Sequence, residues 1–550
     1  VAKPWHDREF LLSRVSGIRQ ARKCYEDGWK EISELAHPMR SRLDTGQGAG
    51  NKPQRRENRA MRDNAGRKAA RIMESGLDAG LASSSRPWFK LQTPDPDMME
   101  FQSVKVWIHE VEETIYDFLS RGTFYAASKG GWGEQGLYGT EAGLMLEHWK
   151  VPHITTGFTV GEYWIANDVT GIPSVLLRRC EFPVREMVAE FGLDRVSLAV
   201  RKMWDSGQYE TQVATLQLIE PNVERETGRM DAANLPWRSL WWEENAEHPN
   251  PKREDWWLRR SGFHEKPFWA CRWDVVGADA YGFGPGHDAL PELRELMKLR
   301  KDMRLLSENL RTPPLGLPAA WATTNVSLEP GARNFVPMSD MGQAQALFNP
   351  HPQALSAVRE EKSEVERGIG QTFYTDLFMA ISSMQGVQPR TVEEIVRRHE
   401  EQLTQLGPMV ARANTEKLSV VVDRAFGILS RARLLPEPPQ ELQGIPLKIE
   451  FVSLLTNMQR IAGVREIEAT AAFVMNLSQV NPAVLDKFNF DQAVDEFARI
   501  RGTPPQIVRP DDEVEAIREQ RQQQEQMAQM AMMAQPAKDA AAALESIQRA

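Results

Sequence analysis

Cysteine is scarce in this sequence: the 550 residues include three, Cys24, Cys180 and Cys271, far apart and odd in number. That argues against a disulfide framework and a structural zinc site, and it fits a reducing compartment. No apolar run approaches the roughly 18 residues that span a bilayer. Val1 to Arg8 also lacks the basic-then-apolar layout of an export signal, so neither a membrane span nor secretion by that route is expected. Positive charge is in short supply as well. Lys and Arg total 67 against 76 Asp and Glu, a net charge of -9, which is the wrong sign for a surface that holds nucleic acid everywhere by neutralising phosphates. Any contact with DNA must be local or weak.

The signatures of common catalysts are missing too. There is no G-x-x-x-x-G-K-[ST] phosphate loop, so the chain is not expected to be its own ATP-driven motor. His399 is followed by Glu400, Glu401, Gln402 and Leu403, which is not H-E-x-x-H, and no G-x-S-x-G elbow occurs. The ten histidines are scattered without metal-ligand spacing. No catalytic, cofactor-binding or metal residue is assigned and no cofactor is expected. A carboxylate site gathered from distant positions stays open, and with it a metal-dependent DNA-processing enzyme as the alternative reading.

What is present is the balance of a soluble globular protein, 41% apolar and 26% charged, with length for three or four structural units at roughly 150 residues each. Residues 50 to 72 form a basic, helix-permissive stretch, NKPQRRENRAMRDNAGRKAAR, which reads first as a solvated helix and second as a phosphate-binding arm. Phe101, Val104, Ile108, Val111, Ile115 and Phe118 recur at spacings of three and four, a helix with one narrow apolar stripe. Between Glu141 and Glu181 the period shifts toward two, which predicts a small antiparallel sheet. Helical segments are expected over 183 to 206, and Val213 to Glu220 resumes strand character. Seven of the sixteen tryptophans fall between Trp237 and Trp273, which reads as a packed, mostly non-helical module before it reads as a stacking platform for single strands.

The run GPGHDALPELRELMKLRKDMRLLSENLRTPP is a helix entered by Gly and Pro and stopped by Pro313 and Pro314. YGFGPG at 281 to 286 is the turn that opens it and makes a poor dinucleotide fingerprint. Leu290, Leu293, Leu296, Leu299, Met303, Leu306 and Leu310 form a stripe roughly 30 Å long. Its other side mixes Arg294, Lys298 and Lys301 with Glu295, Asp302 and Glu308, interrupted by Leu305. Residues 312 to 352, proline-rich and aperiodic, make an unusually long connection that asks for a functional reason. Thr391 and Glu394 form a capping box for a further helix, which Gly407 and Pro408 should kink. The sequence closes on a Gln/Met/Ala-biased stretch.

An ordered set of motifs then carries a resemblance. SRPWFKL at 85 to 91, GTFYAASKGGWGEQGLYGTEAGL at 122 to 144, YGFGPGHDALPELRELMKL at 281 to 299 and PPLGLP at 313 to 318 are followed by RRHEEQLTQLGPMVARANTEKLSVVVDRAFGIL at 397 to 429 and by RARLLPEPPQEL. In this order they resemble the head-to-tail connector, or portal protein, of short-tailed bacteriophages, over about residues 50 to 480. The resemblance implies an α+β, mainly helical portal fold with wing, stem, clip and crown, assembled as a cyclic ring, usually of twelve copies, at one capsid vertex. It implies a wing over 1–206, with the descending stem helix assigned to the same stretch, a clip over 207–285 and an ascending stem helix over 286–311. A tunnel-loop region over 312–352 follows, with Pro313, Pro314, Gly316 and Pro318 at its start. Wing-to-crown helices over 353–480 and a crown with the C-terminal tail over 481–550 complete it. Arg294, Glu295, Lys298, Lys301, Asp302 and Glu308 would face the channel. The implied partners are further copies of the chain, double-stranded DNA in transit, terminase, the major capsid and scaffolding proteins, and tail adaptors, with no membrane. The implied location is the virion, reached by assembly in the host cytoplasm. A tail adaptor ring is the nearest structural alternative.

Overall fold

The computed structural model describes residues 8–40, 42–43, 61–95, 98, 101–226, 228–229, 231–232, 234–244, 257–312, 315–316, 345–346, 352–383, 402–442 and 447–452, with short pieces at 455, 474–475, 492, 514, 517–521 and 523–524. The fold is α+β and mainly helical among these residues. The chain divides into two compact units, Val1–Trp88 with Asp117–Ala432 and Val452–Gln459, and Phe89–Tyr116 with Arg433–Phe451 and Arg460–Ala550.

In the first unit, α1 (Arg8–Leu35) and α2 (Ala65–Leu81) precede the glycine-rich α4 (Phe124–Tyr138), and strands follow. β2 (Thr140–Glu147) pairs antiparallel with β3 (His153–Phe158) and with β9 (Phe268–Arg272), giving the order β3-β2-β9. A second, five-stranded antiparallel sheet runs β4 (Tyr163–Asn167), β5 (Pro173–Pro183), β6 (Gln212–Pro221), β7 (Trp237–Glu243) and β8 (Arg259–Phe263). The single small sheet expected over 141 to 181 is therefore corrected: its two hairpins belong to two different sheets. The five-stranded sheet also takes β4 and β5 from before residue 206 and β6 to β8 from after it, so a division at 206 passes through one continuous sheet.

One face of that sheet is covered by α1, where Leu11, Val15 and Ile18 pack with Trp164, Leu177, Leu218, Trp242 and Trp257. On the opposite face, α5 (Val184–Phe191) and α6 (Leu198–Asp205) bury Met187, Phe191 and Val200 with Trp241 and Leu258. Trp241 and Trp242 serve opposite faces because strand side chains alternate. Trp241, Trp242, Trp257, Trp269 and Trp273 are all buried, so these five of the seven tryptophans in the stretch are core, while Trp237 is half-buried. α6 is started by Ser197, whose hydroxyl accepts the Val200 N–H while its own N–H donates to Glu243.

After β9, the YGFGPG segment bends back over the end of α4. Gly139, in the left-handed conformation at φ 74°, ends α4, and a Cβ there would strike the backbone of Gly282. α7 (Pro285–Asp288) and α8 (Leu290–Arg311) follow, so this segment does open the long helix. Further on, β10 (Leu315–Gly316) pairs with β11 (Gln345–Ala346), before α9 (Pro352–Thr372) and α10 (Thr375–Ser383). The unit's last helical run comprises α11 (402–412), a π-helical turn at Ala413–Leu418 and α12 (Ser419–Arg431). The capping box at Thr391 and Glu394 lies outside the described residues.

The second unit holds β1 (Phe89–Gln92) paired with β12 (Lys448–Phe451), and the greater part of α3 (Gln102–Arg121). The Tyr116 hydroxyl accepts the Phe89 N–H and donates to its carbonyl, and Glu112 accepts the Leu91 N–H. Of the predicted α3 stripe, Val104, Ile108, Val111, Ile115 and Phe118 are buried, while Phe101 is exposed.

Candidate channel helix and the ion pairs that seat it

The short α7 that leads into α8 carries a half-buried imidazole. Burial pushes the His287 pKa down to about 4, and the neutral ring accepts the Gly284 N–H at its Nδ1 (3.3 Å). From there Leu293, Leu296, Met297 and Leu299 are buried within the chain. Leu293 packs over Gly66 of α2, and the Arg62 N–H points at the Met297 sulfur (3.0 Å). Beyond Leu299 the cover thins: Met303, Leu306 and Leu310 are half-buried and Leu305 is exposed. The stripe therefore has a half satisfied by its own chain and a half that this chain covers only partly.

The charged side resolves in the same way. Arg294 makes a two-pronged pair with Glu31 of α1 (2.5 and 2.7 Å), which holds that carboxyl below its usual range. Arg304 is bonded to Glu308 one turn on (2.9 Å). Arg300 (3.6 Å) and Lys362 of α9 (3.3 Å) converge on Asp63. Burial alone would raise the Asp63 pKa, but the Ala65 N–H, Lys362 and Arg300 outweigh it and hold the carboxyl low. Of the six side chains picked from sequence, Arg294 and Glu308 are thus engaged within the chain. Glu295, Lys298, Lys301 and Asp302 are exposed and make no ion pair among the described residues. Pro313, Pro314 and Pro318 lie outside the described residues. Gly316 sits in the two-residue ladder, opposite Gln345.

Gly407 and Pro408 fall inside α11, half-buried and exposed respectively, and helical assignment continues across them. The irregular turn lies a few residues later, at Ala413–Leu418. There, neighbouring side chains both reach the β2/β9 pair, which a wider turn permits. Glu416 takes the guanidinium of Arg272 (2.6 Å) together with the Arg272 N–H (2.9 Å). Lys417 stands 2.6 Å from Glu141, with its ammonium over the ring of Trp132. Further along α12, Arg424 bonds Glu147 and Glu265, and Arg431 bonds the same two carboxylates.

Sequence reasoning singled out none of these eight residues, because each pair joins positions more than 100 apart. A local signal existed in the run SKGGWGEQG within α4. A Cβ at Gly131 would collide with the Glu141 carboxylate, and one at Gly133 with Arg40 and Glu74. Glycine costs a helix interior about 1 kcal/mol relative to alanine, and here it leaves room for charged side chains to pass. Arg40 joins Glu74 (3.2 Å) and the buried Glu134 (3.3 Å). Burial lifts the Glu134 pKa to about 8 despite Arg40, the Thr159 hydroxyl and the Val160 N–H.

Among the described residues no group of three or more His, Cys, Asp or Glu side chains is placed to hold a metal ion, and no helix is long and apolar enough to cross a membrane. What the architecture defines is a mainly helical protein in which a long, mixed-charge helix precedes a two-residue β ladder and is tied to Glu31 and Asp63 by partly exposed ion pairs. Over residues 8–508 the chain matches the family described as bacteriophage head to tail connecting protein, and it belongs to that family. It is 35% identical to the portal protein of Salmonella phage epsilon15, and 33% identical to the probable portal protein of Bordetella phage BPP-1. Each match runs over 518 residues and covers 94% of this chain and 91% of the relative.

Proposed function

We propose that the chain is the subunit of a portal ring at one vertex of a short-tailed phage capsid, a conduit for double-stranded DNA during packaging and ejection. The observation that carries this reading is the length of the likeness: two portal proteins match across nearly the whole chain. In this reading α8 is the ascending stem helix, and Glu295, Lys298, Lys301 and Asp302 are its channel-facing charges. The segment between β10 and β11 borders the passage, 207–285 contains the clip, and 353–480 leads from wing to crown, with 481–550 as crown and tail. Terminase docks on the clip first and tail adaptors later, and the major capsid and scaffolding proteins are further partners.

The half-covered end of α8 supports ring formation. Met303, Leu306 and Leu310 lie along one side of a helix whose other end is already packed, so a neighbouring copy would complete their burial. A ring uses one such head-to-tail interface repeated until the rotation closes. The work of moving DNA belongs to a separate motor in this reading.

The test is electron microscopy of the purified chain, with mass measurement in parallel. Class averages down the axis should show a closed ring with an open centre, about twelve-fold. A stable monomer at micromolar concentration and physiological salt would defeat the proposal, and Mg²⁺-dependent cleavage of duplex DNA on a gel would move the reading to a DNA-processing enzyme.

A further inference from the structure

Several cations around α2 are held by carboxylates. Arg40 is paired with Glu74 and Glu134, Arg42 with Glu162, Arg294 with Glu31, and both Arg300 and Lys362 with Asp63. Arg67, Lys68 and Arg71 are not engaged in this way. They lie within one turn of each other on α2, Lys68 and Arg71 exposed and Arg67 half-exposed, and they make no ion pair among the described residues. No acidic residue occurs from Asn64 to Met73, and Glu74, the first after them, is turned toward Arg40. The Nε of Arg67 and the Nδ1 of neighbouring His37 are buried without a hydrogen-bond partner.

We infer that Arg67, Lys68 and Arg71 form an anion-binding face on α2 that takes the phosphodiester oxygens of duplex DNA. The inference rests on the portal reading for the source of the polyanion, and on α2 itself for the chemistry. Guanidinium forks match phosphate oxygens two at a time, and a lysine beside them adds a point charge. A small anion would engage one of these spread, solvent-facing cations, whereas a linear polyanion engages all three. α2 presents no large exposed apolar side chain, and such side chains are what protein partners use as anchors. Phosphate contacts need none. The charges of Arg67 and Arg71 are felt at His37, whose pKa falls to about 4, first through burial and then through Arg40, Arg67 and Arg71. In a chain with a net charge of -9, the stretch from Asn64 to Met73 carries three cations and no carboxylate.

The experiment titrates the full-length protein, in its assembled form, against a labelled blunt duplex at several salt concentrations between about 50 and 200 mM, the range over which counterion release is read. The variants are Arg67→Gln/Lys68→Gln/Arg71→Gln and the single Arg71→Gln. Each lost phosphate contact should reduce the slope of log K against log salt by about 0.9. The triple variant should therefore lose about 2 to 3 in slope and at least tenfold in affinity at the lowest salt, with the single variant in between. Identical slopes for wild type and both variants, or no binding by wild type at the lowest salt, would overturn the inference. So would a labelled poly-glutamate that binds more tightly than duplex and is lost in the triple variant, which would assign the face to an acidic protein. Mass measurement on the same samples separates the two ideas: a wild-type chain that fails to form a ring counts against the portal reading, while the slope comparison still decides the role of α2.

Discussion

The ammonium of Lys417 stands 2.6 Å from the carboxylate of Glu141 and over the ring of Trp132, where neither charged side chain retains measurable contact with water beyond 1%. Burial pushes the Glu141 pKa up and the Lys417 pKa down, and each is pulled back by the other's charge. Such a pair is a weak source of net stability but an expensive one to break from one side. Lys417→Met should therefore destabilise the protein by about 3 to 5 kcal/mol, whereas Lys417→Met/Glu141→Leu should recover most of that loss. Denaturant unfolding of the two variants measures the difference. A single variant as stable as wild type would show that the pair does not hold the π-helical turn on the sheet.

Acid should loosen the same unit through its histidines. His37, His153 and His287 have pKa values lowered to about 4, in each case chiefly by burial. Their folded-state values lie below the unfolded value of about 6.5. The stability they contribute is therefore complete above pH 6.5 and is lost as the pH falls through the window to about 4. His287→Asn keeps an acceptor for the Gly284 N–H and removes the titration. It should flatten the loss between pH 6.5 and 4 by on the order of 2 kcal/mol relative to wild type. Glu134 acts with the opposite sign: its pKa, raised to about 8, makes its contribution greatest below about pH 4.5 and lost as the pH rises through 8. Unfolding measured from pH 4 to 9 should thus show falling stability at both ends.

Local patterns carried much of this fold. The α3 stripe, the Gly/Pro entry to α8 and the strand at Gln212–Pro221 follow from periodicity and turn chemistry, which act over a few residues. Pairing across long separations left no such trace. β9 joins β2 across more than 100 residues, and nothing in the alternation of 141 to 181 tells which sheet each hairpin enters. The candidate helix was legible as a helix, but Arg294 could not be known to serve Glu31, nor Arg300 to share Asp63 with Lys362. Those facts depend on how α1, α2 and α9 pack around α8. The seat of Glu416 and Lys417 was hidden for the same reason, and only the glycines of α4 hinted at it.

Gly407 and Pro408 offer a separate test, because a proline inside a helix removes a backbone donor and crowds the preceding turn. The proposal is that the pair kinks α11 and redirects it from wing to crown. Gly407→Ala/Pro408→Ala should raise helix stability by about 3 kcal/mol or more at the proline site and straighten the segment. Cryo-electron microscopy of the variant would report the path, and an unchanged path together with an unchanged ring would remove any directing role for the two residues.

The stem reading makes a quantitative claim about sliding DNA. With Arg294 held by Glu31 and Arg304 by Glu308, the exposed cations picked on α8 reduce to Lys298 and Lys301, which stand among Glu295 and Asp302. Opposite charges this close offset one another within a screening length of about 8 to 10 Å at physiological salt, so a duplex passing along the helix meets shallow wells. Deep ones would stall it, since every counterion released on binding adds affinity that a motor must overcome at each step. Lys298→Gln/Lys301→Gln should therefore leave the ring intact and change duplex affinity less than threefold, far less than the loss expected on α2. Wild-type ring should bind blunt duplex more weakly than micromolar at physiological salt and without sequence preference, as titration with two unrelated duplexes would show. Submicromolar, sequence-dependent binding that persists at that salt would end the low-friction conduit and favour an enzyme that acts on DNA.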